Sequence, residues 1–159
     1  MALDPTAREA NIRDSLKRYF LENLQIVEGI PITFDRGLAA PTVQGVAADQ
    51  WVSIMIGPLE RDTLSSLFVD LFCCSRQDNE GFALARLCDT VMGYLIADDN
   101  AGEVPPKRIP FYQSYSDKDW EVIGALAVTR IQETTVSPPL ADDTKARQLS
   151  TMIRFASKV

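Results

Sequence analysis

Few side chains in this chain are suited to making or breaking bonds. None of the 159 residues is histidine, so imidazole general bases, Ser-His-Asp and Cys-His nucleophile activation and the commonest metal ligand are all missing. The cysteines, Cys73, Cys74 and Cys88, are odd in number and lack C-x-x-C spacing. Neighbours on a strand point to opposite faces, so Cys73 and Cys74 suit neither a shared metal nor an ordinary disulfide. Their apolar surroundings predict buried, inert thiols. Asp98-Asp99 and Asp142-Asp143 lack the other ligands of a cation loop and read as turn and capping acids. Gly29, Gly37 and Gly45 are too scattered for a phosphate or dinucleotide loop. Ser65 with Ser66, or Lys17 with Asp14, make a catalytic pair only by assertion. No catalytic residue, metal ligand or cofactor is therefore expected. Asp70 stands out because it lies among Phe68, Leu71 and Phe72; a strand side turned to solvent or to a partner accounts for it.

Charge says more than chemistry. There are 22 acidic and 16 basic residues, a formal net charge of −6, and 46% of the chain is apolar. That apolar content excludes disorder throughout, and no apolar run reaches the ~18 residues that span a bilayer. The start, MALDPTAREANIRD, has neither a basic opening nor a hydrophobic run, so no secretory signal and a cytoplasmic location are expected. Residues 1–135 carry 12 basic and 20 acidic side chains, whereas 136–159 carry four basic ones (Lys145, Arg147, Arg154, Lys158) against Asp142 and Asp143. A basic C-terminal arm on an acidic body could reach the body of a neighbouring copy; a mildly charged, loose tail is the plainer reading. Gripping a nucleic acid backbone needs clustered Lys and Arg, which the body lacks. An acidic surface does suit a conduit that DNA slides through.

Periodicity supplies the elements. Ile12, Leu16, Tyr19, Phe20, Leu24 and Val27 recur at threes and fours, predicting an amphipathic helix over about 5–27, ended near Gly29 and Pro31. PITFD (31–35) reads as a short strand. Arg36 to Gln50, with Gly37, Pro41 and Gly45, is a long loop or a weak protruding hairpin. Trp51–Ile56 is apolar on both sides, as a central strand is. Thr63 to Arg76 alternates, with Leu67, Val69, Leu71 and Cys73 against Phe68, Asp70, Phe72 and Cys74; the short GPLERD link makes the two an antiparallel hairpin. A second helix is expected over about 79–97, capped by Asp78 or Asn79, with Leu84, Leu87, Cys88, Val91 and Leu95 as its buried stripe. Arg108 to Gln113 is a strand that Pro110 demotes to an edge or a bulge. Trp120 to Thr135 is a long strand, with Trp120, Val122, Leu126 and Val128 opposite Ile123, Ala125, Ala127 and Ile131. The tail 145–157 fits either period, Leu149, Met152, Ile153 and Ala156 as a helix or Leu149, Thr151, Ile153 and Phe155 as a strand. The fold class is α+β: a mostly antiparallel sheet with two main helices packed on one face, plus a C-terminal arm. Residues 1–135 form the domain and 136–159 the extension.

In order and local style, residues 8–133 resemble a phage tail terminator. The opening helix REANIRDSLKRYFLENL leads to ITFDR and a Gly/Pro-rich loop. WVSIMI, LSSLFVDLFCCSR and a helix with ALARLCDTVMGYL follow, then a closing pair beginning IPFYQ and WEVIGALAV. The resemblance implies a structural virion protein, not an enzyme. It would form a homohexameric ring that halts tail-tube polymerisation and joins the tail to the head-side connector or neck protein. A contractile sheath is a further candidate partner. DNA would pass through without specific binding, no membrane is involved, and the site of action is the virion tail or neck after assembly in the host cytoplasm. On that reading the ring surface lies around Phe68, Asp70 and Phe72 and on the Trp120–Ile131 strand. Arg36, Gly37, Pro41 and Gly45 belong to a rim loop docking on the tube, and Arg147, Arg154 and Phe155 to the arm. Asp98, Asp99 and Glu103 would sit near the bore. Deleting 137–159 would then weaken the ring and spare the fold. For Phe68 or Phe72 taken singly, an ordinary core position is the competing reading. A neck or head-completion connector and, in another class, a small cytoplasmic enzyme are the alternatives.

Overall fold

A computed structural model describes residues 8–38, 40–60, 66–76, 81–96, 108–113, 120–136 and 144–157. Helix α1 (Arg8–Phe20) passes directly into a π-helical stretch, Leu21–Val27. The strands are β1 (Ile32–Phe34), β2 (Thr42–Val43), β3 (Val46–Ala47), β4 (Gln50–Ile56) and β5 (Ser66–Ser75), followed by helix α2 (Phe82–Gly93). Then come β6 (Arg108–Gln113), β7 (Glu121–Val136) and β8 (Lys145–Ser157). Six strands form one sheet in the order β1-β4-β5-β8-β7-β6, and β2-β3 is a separate ribbon. β1 runs parallel to β4; the other pairings are antiparallel. The fold is α+β with a dominant antiparallel sheet.

The core lies between the helices and one face of that sheet. Ile12, Leu16, Phe20 and Leu24 come from the first helix and its continuation. Leu84, Leu87, Cys88 and Val91 come from α2. They meet Val52, Ile54, Leu67, Val69, Leu71, Leu126, Val128, Leu149 and Ile153, all buried. Polar contacts set the tilt of α1. The Ser15 hydroxyl accepts the Tyr112 N–H at 2.8 Å, and Glu9 accepts the Leu59 N–H at 2.7 Å. Arg13 pairs with Asp35 and donates to the Ile56 carbonyl at 2.9 Å. The backbone of Asp35 meanwhile donates to Ile54, which extends the β1–β4 pairing by one rung.

Several expectations change. The tail is a strand, and it is not an arm: β8 lies between β5 and β7, paired along its length on both sides. Residues 136–159 are therefore no appendage to a finished 1–135 domain, and the idea that deletion would spare the fold fails with it. Val27 leaves the apolar stripe. A π-helix holds more residues per turn than an α-helix, so the face drifts, and Ile26 and Val27 are 74% and 68% exposed. A bulge between Val128 and Arg130 shifts the parity of β7. Ile131 accordingly packs on the same core as Leu126 and Val128 rather than opposite them. The stretch after Gly37 resolves in favour of the hairpin, whose turn residues Gln44 and Gly45 both have positive φ (52° and 80°). β6 is the edge strand, with an irregularity just after Pro110, between Phe111 and Tyr112. The cap candidates Asp78 and Asn79, together with Ser65, Asp98, Asp99, Glu103, Asp142 and Asp143, lie outside the described residues.

Candidate assembly face

Alternation on β5 sends Leu67, Val69, Leu71 and Cys73 to the helices and Phe68, Asp70, Phe72 and Cys74 to the other side. The pairing register extends that second side into rows across neighbouring strands. One row is Phe68–Met152–Arg130, the next Met55–Asp70–Ser150–Gln132, the next Ser53–Phe72–Gln148–Thr134, and the last Trp51–Cys74–Ala146–Val136. No described helix covers these rows. They grade from dry to wet. Trp51, Cys74 and Ala146 are buried beneath Ala40 and Ala48, at the base of the ribbon. Among the described residues the Trp51 indole N–H has no hydrogen-bond partner. In the middle the Gln148 amide donates to the Ser150 hydroxyl at 3.1 Å. At the far end Phe68 leaves 47% of its surface in water, and Arg130 and Arg154 are exposed.

The anticipated residues thus divide. Phe68, Asp70 and Phe72 share this face, and Arg154 joins it at the register position opposite Ser66. Phe68 is no core residue; Phe72 is half-buried against the Trp51 cluster. Arg36 and Gly37 precede the ribbon, where their carbonyls accept from the Ser53 hydroxyl at 3.2 and 3.5 Å. The Pro41 carbonyl accepts the Ala48 N–H at 2.9 Å at the ribbon's base, and Gly45 is at its tip. Val43 and Val46, flanking that tip, are 47% and 68% exposed. Arg147 is on the opposite, helix-side face, and its acidic partner is Glu133 of its own chain at 2.9 Å. Phe155 occupies the register position opposite Leu126. Met55, Gln148, Ser150 and Met152 were missed as face residues, whereas Arg130 falls in the Trp120–Ile131 strand expected there. The signal for three of them was present in 148–154, where Gln148, Ser150 and Met152 alternate with Leu149, Thr151 and Ile153.

Behind the sheet, Cys73 and Cys88 meet in the core between β5 and α2. The interaction with Cys88, and then burial, hold the Cys73 thiol far above the ordinary range. The interaction with Cys73 holds Cys88 below that range, with the Arg147 guanidinium assisting against burial. Cys74, on the other face, is pushed up to about 12, first by burial and then by the proximity of Cys88. All three thiols are free and buried. Elsewhere a groove of about 350 Å³ opens between the end of the π-helical stretch and α2, lined by Glu28, Ile30, Gln50, Phe82, Arg86 and Leu87 among others. At the β6–β7 end Arg18 stacks over Tyr112 (4.3 Å) and Trp120 (5.2 Å). Among the described residues no group of three or more Cys, Asp or Glu is placed to hold a metal ion, and no helix is long and apolar enough to cross a membrane.

No family model matches the chain, and no curated protein matches it. Among solved structures, one protein superposes on this chain with a TM-score of 0.55. The match covers 91% of this chain and 95% of that one at 10% identity. At that distance the likeness is one of fold.

Proposed function

We propose that this protein is a structural subunit that closes into a ring, caps a phage tail tube and joins it to the head-side connector. The observation that carries the reading is the sheet face free of described helices, on which the exposed Phe68 and half-buried Phe72, Met55 and Met152 are interleaved with Asp70, Gln148 and Ser150. A face of this mixed character fits a contact with another protein better than it fits a solvated surface. The neighbouring subunit would bring a different surface to it. Such a head-to-tail contact closes when the rotation per subunit divides a full turn. The uncharged ribbon, with Val43 and Val46 at its tip, is the rim element suited to the tube. The element order over 8–133 supports the same assignment through its resemblance to tail terminators.

The test is direct. The purified chain is mixed with tail tubes, and its mass in solution and the tube ends in electron micrographs are recorded. Rings of six copies at one tube end support the reading. Binding only to portal or connector preparations, with bare tube ends, would move the protein to the neck. A monomer that ignores both would end the proposal.

A further inference from the structure

We propose that the segment where β7 begins, Trp120–Val122, docks on the arginine end of the next copy's open sheet face; this rests on the reading of that face as a subunit contact. Pairing register gathers three arginines from three strands at that end. Ile109 and Phe111 are buried in the core, so Arg108 turns to the other side of β6. It lies opposite Ala127, which in turn lies opposite Arg154, and Arg130 stands in the adjoining row with Met152 and Phe68. All three arginines are exposed, and among the described residues none has an ion-pair partner. Two carboxylates border the cluster, Glu60 through its bridge to Ser66 and Asp70 one row beyond Phe68, and neither pairs with it. Guanidinium groups beside an exposed Phe and a Met are the composition of a contact between proteins.

The complementary surface is at the opposite end of β7. Trp120 and Val122 are 40% and 49% exposed, and Glu121 between them is exposed without a described cation paired to it. Pairing with β8 begins only at Gly124, so Glu121 and Val122 are held by β6 alone. Arg18 over the Trp120 ring and Tyr112 at its edge (5.8 Å between centroids) hold the indole in place, so docking it costs little side-chain entropy. Val122 and Arg130 stand roughly 26 Å apart along the extended strand, which prevents one molecule from joining its own two patches. A second copy can join them. Charge favours that partner, because the chain carries 22 acidic and 16 basic residues and an unpaired basic cluster therefore finds its complement on another copy. The two patches differ, so the contact is head-to-tail and repeats from copy to copy.

Trp120 reports the contact directly, since the other tryptophan of the chain, Trp51, is 1% exposed. Mass is followed by sedimentation at low salt up to millimolar protein, together with acrylamide quenching of tryptophan emission. Quenching should fall as mass rises. Glu121→Arg, and Arg130→Glu combined with Arg154→Glu, should each associate at least about tenfold more weakly than the natural chain. An equimolar mixture of the two variants should recover association, because the exchanged charges are again opposite; that recovery also shows that both variants are folded. A natural chain that stays monomeric throughout, variants that associate unchanged, or a mixture that recovers nothing would each overturn the proposal. Capped tube ends with unaffected charge variants would refute this contact alone. Self-association of a chain that ignores tubes would refute only the assignment to a tail.

Discussion

Phe68 leaves 47% of its surface in water between two buried neighbours, Leu67 and Val69. That exposure lets folding be separated from association. Phe68→Thr keeps a residue with strand preference, so stability measured by urea unfolding should change by no more than about 1 kcal/mol. Under the proposed function, ring formation on tube ends should fall sharply; an undiminished ring would remove Phe68 from the proposed contact. Tyr19 makes a second residue-scale prediction. Its hydroxyl donates to the Tyr94 carbonyl at 2.7 Å, and its pKa is pushed up to about 12, first by burial and then by Tyr94. The unfolded phenol ionises near pH 10, so the folded state favours the neutral form. This contribution is complete below about pH 10 and is lost as pH rises towards 12. Denaturation midpoints across that window should fall less steeply for Tyr19→Phe than for the natural chain.

At the scale of elements, the strand least certain from local pattern is the one whose neighbours decide it. Trp51–Ile56, apolar on both sides, reads directly as interior. Residues 145–157 carry both a helical and an alternating apolar set, and the choice is made by distant β5 and β7, which offer pairing on both sides. The face around Phe68 was half legible for the same reason. β5 displays its own alternation, but Met152, Ser150 and Gln148 join the rows only once β8 is placed. The π-helical drift at Val27 and the parity change before Ile131 are local departures from regular period, so counting threes, fours or twos misses both. Two variants follow. Ile153→Ala, at 1% exposure in the middle of the sheet, should cost about 2–5 kcal/mol in chemical denaturation, whereas an arm residue would cost almost nothing. Gly45→Ala meets no atom within 4 Å but keeps a φ of +80°. It should cost about 1 kcal/mol through backbone strain alone. Faster amide exchange confined to Thr42–Ala47 is the expected trace.

For the whole molecule, the charge asymmetry acquires a different meaning. A basic tail that reaches a neighbour's acids is one of the two readings the sequence offers, yet Arg147 pairs with Glu133 of its own chain at 2.9 Å. Arg154 and Arg130 instead bring positive charge to one end of the face that carries Asp70. If the chain assembles through this face as proposed, that contact should accordingly weaken with salt; sedimentation of the assembly at rising ionic strength checks this, and salt-independent assembly would assign the contact to apolar packing. The interior placement of β8 has one more consequence. The Thr151 hydroxyl bonds the Val69 carbonyl across 82 positions of chain. During synthesis β5 leaves the ribosome long before that partner exists, with one hydrogen-bonding edge unpaired and Phe68 in the open. Until translation reaches the last strand the nascent polypeptide is exposed to aggregation, so its yield in cells should depend on chaperone capacity more than the stability of the finished subunit would suggest.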